Sequence, residues 1–265
     1  MMSIVTFLSD FGLNDAYVGC VKGVMLSLEK DIEIVDITHT VNPFSIDQAA
    51  YIIFNYYNYY PGGTVHLVVV DPGVGGSRLP LIIKTKKYYF VGPDNGIFSY
   101  IISKESYNAY SIKPGKCKKY FPVNASATFH ARDIFGPAAA LLSKGISPGR
   151  LGDPYTKSLH SFEQNVYINK NEIVVKIIYI DWFGNIISGL SKDIFKKVKT
   201  GEIREIIIKD LVLSCIKKTY SDVKKGEFLA LWGSSGFLEI SLNGGNAAEK
   251  LDCKMNVDFL KIKLE

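Results

Sequence analysis

The chain has 265 residues, 47% of them hydrophobic and 22% charged, with a formal net charge of +5. That length can bury a large core in one big or two smaller domains, and the composition is ordinary for a folded globular protein rather than a disordered or fibrous one. The mild positive charge is spread over pairs such as Lys86-Lys87, Lys118-Lys119 and Lys224-Lys225, which read as solvated faces and not as a nucleic-acid footprint.

The first 150 residues alternate strand-like and helix-like patterns. Residues 3–8 read as a strand. Asp15 reads as the N-cap of a helix over Ala16–Leu28, with Val18, Val21, Met25 and Leu28 on one side. A strand follows over Ile32–Ile37. Ser45 then opens a second helix, with Gln48 at the reach-back position of a capping box, and the helix runs to about Tyr59 before Pro61-Gly62-Gly63. The aromatic run Tyr56-Tyr57-Asn58-Tyr59-Tyr60 is expected to pack against the sheet. Thr64–Val70 is the third strand, Leu81–Thr85 and Tyr88–Val91 are short strands, and Arg132–Lys144 is a helix ending at Gly145. Strand–helix–strand order predicts a mostly parallel sheet with helices on its faces.

After Gly152-Asp153-Pro154 long helices vanish and short strands recur at Val174–Tyr179, Glu205–Ile208, Glu227–Leu231, Phe237–Ser241 and Val257–Ile262, with turns at 169–172 and 243–246. This is the pattern of a small β-sandwich or barrel. The expected organisation is an α/β domain over residues 1–158 and an all-β, barrel-like domain over residues 168–265. No apolar run approaches the ~18 residues of a membrane span. The chain opens directly on Ile4-Val5-Thr6-Phe7-Leu8, without a basic leader, so a cytoplasmic location is expected. The four cysteines (Cys20, Cys117, Cys215, Cys253) lie far apart, as separate thiols do, and match neither a disulfide framework nor a zinc site.

Four polar clusters sit where chemistry could be done. In Val68-Val69-Val70-Asp71-Pro72-Gly73-Val74-Gly75-Gly76-Ser77-Arg78 a buried strand delivers a carboxylate, a glycine-rich loop and an arginine to one place. Ligands of open α/β sheets bind outside the carboxyl ends of strands. A glycine-rich turn with a surface ion pair is the competing reading. Asp10, in Ser9-Asp10-Phe11-Gly12, either caps its turn or accepts from vicinal hydroxyls, as carboxylates do for a ribose. In Phe129-His130-Ala131-Arg132-Asp133, Asp133 can cap the following helix and His130 can be a packed core histidine. Asp181-Trp182-Phe183-Gly184-Asn185 offers rings to stack on a flat heterocycle and polar groups to read its edge, or else a β-turn with buried aromatics.

Nearby nucleotide-binding chemistries fail on context, while a metal hydrolase stays open. The Asp71 loop leads into the strand-like Leu81-Ile82-Ile83 and not into a helix, which argues against a methyltransferase or a dehydrogenase; no Gly-Lys-Ser or Gly-Lys-Thr follows a glycine loop, which argues against a P-loop. A metal hydrolase on Asp71, His130 and Asp133 lacks histidines at metal-ligand spacing, and an adjacent arginine suits an anion or an oriented water better.

Taken in order, these clusters resemble the S-adenosylmethionine hydrolases, or hydroxide adenosyltransferases, relatives of the fluorinase and chlorinase enzymes. The resemblance runs through Leu8-Ser9-Asp10-Phe11-Gly12, Asp71–Gly75 with Arg78, Phe129–Asp133, Asp181-x-Phe183-Gly184-Asn185, and Gly233–Glu239 with Asn246-Ala247-Ala248. It implies an α/β domain followed by a β-barrel-like domain, and a homotrimer with each site between one subunit's first domain and a neighbour's second. It implies conversion of S-adenosyl-L-methionine and water to adenosine and L-methionine, with S-adenosyl-L-methionine as substrate and no cofactor or metal. By motif, the family's Asp–Arg–His set falls on Asp71, Arg78 and His130, and its ribose-binding Asp on Asp10. Its methionine- and adenine-side positions fall on Asp181, Phe183, Asn185, Ser234, Asn246 and Ala247. Ser235 stands where halogenating relatives carry an arginine, while the intact Asp–Arg–His set favours hydroxide over halide. The alternatives are adenosyl transfer to chloride and a binding protein that holds an adenosyl ligand without turning it over.

Overall fold

The computed structural model describes residues 3–161, 166–169, 171–198 and 202–264. The chain divides into two units, residues 1–161 and 162–265.

In chain order the first unit contains β1 (Ser3–Ser9), α1 (Tyr17–Leu28), β2 (Ile32–Thr38), α2 (Ile46–Tyr56), β3 (Val65–Val69), β4 (Pro80–Thr85), β5 (Tyr89–Pro93), α3 (Ser99–Lys104), β6 (Tyr107–Ile112), α4 (Gly136–Ser143), α5 (Pro148–Leu151) and β7 (Gly152–Tyr155). The strands form one sheet in the order β2-β1-β3-β5-β4-β6-β7. The expected mostly parallel sheet is parallel over β2, β1, β3 and β5. It is antiparallel over β4, β6 and β7, so the sheet is mixed. The reason is connection length: β4 and β5 join through the tight turn at Lys86-Lys87, and parallel neighbours need a crossover of a dozen or more residues.

Alternation along β3 shows how the core is built. Val65, Leu67 and Val69 face α1 and α4, whereas Val68 and Val70 face α2 and α3. Both faces are covered, so the strand reads in the sequence as an unbroken apolar run. The aromatic run packs as expected: Tyr57 is buried, and Tyr56, Tyr57 and Tyr60 surround the buried His66 ring of β3.

Both expected helix caps are corrected. Ala16 occupies the N-cap position of α1 and no side chain caps it, which leaves Asp15 outside. Ser45 is the N-cap of α2 but its hydroxyl makes no cap bond. Gln48 reaches past it, accepting from the Asn42 N–H at 2.8 Å, and so ties down the preceding loop rather than the helix end. The helix expected over Arg132–Lys144 begins with a π-helical turn, Ala131–Phe135, before α4.

The second unit contains β8 (Val166–Ile168), β9 (Glu172–Ile180), β10 (Ile186–Ser191), α6 (Lys192–Val198), β11 (Ile203–Ile208), β12 (Leu211–Leu213), β13 (Ile216–Lys217), β14 (Phe228–Trp232), β15 (Phe237–Leu242), α7 (Ala247–Lys250) and β16 (Phe259–Leu264). Its sheet runs β12-β11-β16-β9-β10-β15-β14-β13, with β8 on β9. Pairing is antiparallel except between β13 and β14. Val175, Ile177, Ile186, Leu238, Ile240, Leu260 and Ile262 supply its core, with Ala247 and Ala248 of α7 packed against them.

Candidate active site

Four parallel strands, β2, β1, β3 and β5, end on the same edge of the first sheet. The chain leaves β1 for β2 on one side and returns to β3 on the other, so the β1/β3 boundary is where strand order reverses. Crevices at such switch points, beyond the strands' carboxyl ends, are the usual ligand sites of open α/β sheets. A cavity of about 400 Å³ opens there, lined in part by Asp10 and Phe11 after β1, Phe44 after β2, Asp71 after β3, and Phe129 and His130.

Successive tight turns, Val74 N–H to the Asp71 carbonyl and Gly76 N–H to the Gly73 carbonyl, fold the loop after β3 back on itself. They return Arg78 onto Asp71. The guanidinium donates from Nε to Asp71 Oδ1 at 2.9 Å and from Nη2 to Oδ2, a two-pronged pair whose side chains are 9% and 6% exposed. Gly75 makes the loop possible: its φ is +77°, and a Cβ there would lie 2.4 Å from the Ala127 carbonyl oxygen. The π-helical turn brings up the third member. Arg78 Nη2 donates to His130 Nδ1 at 2.6 Å, and the guanidinium carbon sits 5.3 Å from the centre of the Phe135 ring.

An arginine has no acceptor, so Nδ1 of His130 must be the acceptor and Nε2 must carry the ring proton. Burial, and then the Arg78 charge, hold the His130 pKa below its ordinary value against the opposing pull of Asp71 and Asp133, which keeps the ring neutral. Burial pushes the Asp10 carboxyl above the usual carboxylate range; the Phe44 N–H, donating to Oδ2 at 2.9 Å, opposes that rise, and the charge of Asp71 adds to it. Asp133 does not join the array. Its carboxylate accepts from Arg132 and from the Ser126 N–H at 2.7 Å, which pins the segment before the π-helical turn.

In the second unit the turn between β9 and β10 is built around Asp181. Oδ1 accepts from the N–H groups of Phe183 and Asn185, each at 2.9 Å, and Oδ2 accepts from Asn185 Nδ2 at 2.8 Å. Gly184, at φ +82°, lies so close to Asn246 that a Cβ would fall 1.9 Å from that residue's Oδ1. Asn246 caps α7 by accepting from the Glu249 N–H, and buried Ala247 follows it. Trp182 and Phe183 point outward, 95% and 73% exposed, so the alternative of a turn with buried aromatics is excluded.

Two family models match the chain: the SAM hydroxide adenosyltransferase N-terminal domain over residues 5–152 and the corresponding C-terminal domain over residues 175–259. The chain belongs to the SAM hydroxide adenosyltransferase family. An (R)-S-adenosyl-L-methionine hydrolase from Methanocaldococcus jannaschii is 37% identical, covering 98% of this chain and 94% of its own. Its counterpart from Thermus thermophilus is 34% identical, covering 96% and 97%. A fluorinase from Nocardia brasiliensis is 25% identical, covering 96% and 95%. The crystal structure of an uncharacterized conserved protein from Thermotoga maritima superposes with a TM-score of 0.85 at 33% identity, covering 98% and 99%.

Within this family member the structure gathers Asp10, Asp71, Arg78 and His130 in the first unit. It gathers Asp181, Phe183, Asn185, Asn246 and Ala247 in the second. Ser234 stands apart. It lies in the turn between β14 and β15, at the end of β15 opposite the Asp181 turn, about 20 Å away by strand rise. Sequence reading missed Phe44 and Tyr17, both lining the cavity and 70% and 50% exposed. A signal for Phe44 was present: a large apolar residue directly after Asn42-Pro43, past a parallel strand's carboxyl end. Its φ of +68° is rare for a bulky side chain.

Proposed function

We propose that this chain hydrolyses S-adenosyl-L-methionine to adenosine and L-methionine by in-line attack of water, in a hydroxide-like form, on the ribose C5′ carbon. The observation that carries this reading is the desolvated Asp71–Arg78–His130 array beside Asp10 at the β1/β3 switch point. The leaving group is a neutral thioether expelled from a sulfonium cation. Because nucleophile and cation lose charge together at the transition state, a dry and preorganised site favours the reaction.

Arg78 orients the attacking water and stabilises its hydroxide form. Asp71 receives two bonds from Arg78 and keeps lone pairs on both oxygens for the water's proton. His130, neutral and with Nδ1 committed to Arg78, presents its Nε2 proton as a further hydrogen-bond contact, while the water's proton goes to Asp71. Holding the reactants in line supplies much of the rate, since effective molarities of roughly 10⁵ M accompany good alignment. Asp10 accepts from the ribose hydroxyls. Asp181, Phe183, Asn185, Asn246 and Ala247 serve the adenine and methionine sides, with Ser234 as a separate contact. The sulfonium is already an activated leaving group, so we assign no cofactor and no metal.

The same reading takes residues 1–158 and 168–265 as the functional domains, the second curled into a barrel-like form. The approach of β12, near one end of its sheet, to β14, near the other, supports the curl. It also takes the protein as a cytoplasmic homotrimer with sites at subunit interfaces. Tyr17 and Phe44, exposed at the cavity, are the kind of apolar surface such an interface covers. Among the described residues no helix is long and apolar enough to cross a membrane.

Incubation with S-adenosyl-L-methionine in chloride buffer, followed by chromatography, tests the reaction. Adenosine and methionine in equal amounts support it. A 5′-halo-5′-deoxyadenosine would replace hydrolysis with halide transfer, and unconsumed substrate would leave a binding protein.

A further inference from the structure

A second Ser/His/Asp constellation lies beneath the same cavity. Ser9, the last residue of β1, is fully buried, and its Oγ is 2.8 Å from His39 Nδ1. Across the ring, His39 Nε2 is 3.1 Å from Asp36 Oδ1, at ion-pair range though not aligned as a straight hydrogen bond. Asp36 in turn pairs with Lys22 of α1. The Ser9 hydroxyl oxygen accepts from the Phe11 N–H at 3.4 Å, and the His39 carbonyl accepts from the Gly12 N–H at 2.7 Å. The imidazole packs edge-on against Phe7, with ring centres 4.6 Å apart.

Buried Ser9 cannot meet a substrate, so this is not a second nucleophile. Its polarity nonetheless needs an explanation, because a buried Ser–His pair costs free energy unless it is satisfied. Burial lowers the His39 pKa against the opposing pull of Asp36, so the ring is neutral and carries one proton. One assignment then fits the contacts: Nε2–H turned toward the Asp36 carboxylate at ion-pair range, Nδ1 accepting from the Ser9 hydroxyl, and the Ser9 oxygen accepting from Phe11. Two contacts cross from the end of β2 to the end of β1 and its loop, His39 to the Ser9 hydroxyl and the Gly12 N–H to the His39 carbonyl; Asp36 backs the imidazole from β2, and Ser9 hands the connection on to Phe11. The segment that carries His39 also supplies the Phe44 N–H that holds the Asp10 carboxylate.

We propose that Asp36, His39 and Ser9 form a positioning relay that sets the Asp10–Phe11–Gly12 loop, and through it the direction in which Asp10 meets the sugar. The proposal rests on the reading of Asp10 as the ribose-binding carboxylate. None of the three touches substrate; each acts through the loop.

Ser9→Ala and Asp36→Asn in the full chain test it by two readouts. The first is hydrogen exchange at Phe11 and Gly12 in the ligand-free protein. With the Ser9 hydrogen bond removed in one variant and the carboxylate charge facing His39 removed in the other, exchange there should accelerate about fivefold to tenfold while that of Val65–Val69 stays unchanged. The second is kinetics with S-adenosyl-L-methionine and with its 2′-deoxyribosyl analogue. KM for the natural substrate should rise about fivefold, with kcat changed less than about twofold. KM for the analogue should scarcely move, so that the preference for ribose shrinks. Unchanged exchange in both variants, or equal KM increases for both substrates, would overturn the relay. Asp10→Ala separates the underlying reading. It should erase the ribose preference; if the preference survives, Asp10 is not the sugar's partner, and the exchange result alone still decides whether the relay holds the loop.

Discussion

The two polar clusters of this protein are built on opposite plans. In the first unit Arg78 meets a histidine 52 residues away, and Asp71 and Arg78 bury their charges against each other. In the second unit Asp181 satisfies its carboxylate with neutral donors inside its own five-residue turn and leaves two large rings in the open. A charged array held together over long sequence distance and shielded from water is suited to stabilising charge that changes during a reaction. A turn that caps itself and displays apolar rings is suited to recognition, because the rings offer area without a desolvation penalty. Perturbing the first should therefore appear in kcat, and perturbing the second in KM.

The largest effect should come from Arg78→Ala. On the proposed mechanism it removes the contact to the water, and it strands Asp71 as a buried charge. We expect kcat to fall about 10³-fold and stability against urea to drop by about 3 kcal/mol. If KM rose instead with kcat intact, the division between the two clusters would collapse.

His130→Ala should lower kcat about 10²-fold with little change in KM. His130 also gives the contrast a pH signature. Its folded pKa lies below the ordinary value of 6.5, and only the neutral ring can accept from Arg78. Turnover should therefore hold at neutral pH and fall as acid protonates the ring, somewhere below pH 6.5. The sign for stability is the same: the unfolded histidine takes up its proton near 6.5 while the folded one resists, so this contribution is complete above that pH and is lost as pH falls. His130→Gln should remove the acid limb from the pH–rate profile at low residual activity. An unchanged limb would assign it to another group.

Legibility in the sequence followed the same contrast. The unbroken run Val65–Val70 announced a strand buried on both faces, and the loops at Asp10 and Asp71 fell where parallel strands end, so the first cluster's location could be read. That His130 joins Arg78 came from the family resemblance and not from the local pattern, because the π-helical turn at Ala131–Phe135 re-aims the helix start and has no period of its own to detect. Asp15 and Gln48 have good capping chemistry, yet α1 begins after Asp15, and the Asn42 N–H outcompeted the helix end for Gln48. In the second unit β10 escaped because Ile186–Leu190 is buried along its whole length and so lacks alternation. Ser234 is the sharpest limit. Twelve residues separate it from Asn246 in sequence, but an antiparallel strand lies between them and sends its two turns to opposite ends.

Phe183→Ala sharpens the recognition half of the contrast. The ring is exposed and its backbone N–H, not its side chain, holds the turn, so stability should change by less than about 0.5 kcal/mol. Loss of a stacking face should raise KM about tenfold and leave kcat nearly untouched. A kcat defect as large as that of His130→Ala would place this ring in the chemistry.

The smallest expected kinetic effect is also the most discriminating, because Asn246 has two duties that can be separated. Its side chain caps α7 through the Glu249 N–H at 2.9 Å and lies against Gly184 of the Asp181 turn. Asn246→Ala should cost about 1 kcal/mol through the lost cap alone and should raise KM as well if the amide reads substrate. Asn246→Asp keeps an oxygen for the Glu249 N–H, so stability should return toward wild type. It also trades the amide's donor for a negative charge beside a carboxylate already held by three donors. KM should then remain high in the stable variant. If KM recovered together with stability, Asn246 would be a helix cap and nothing more, and recognition in the second unit would narrow to the Asp181 turn itself.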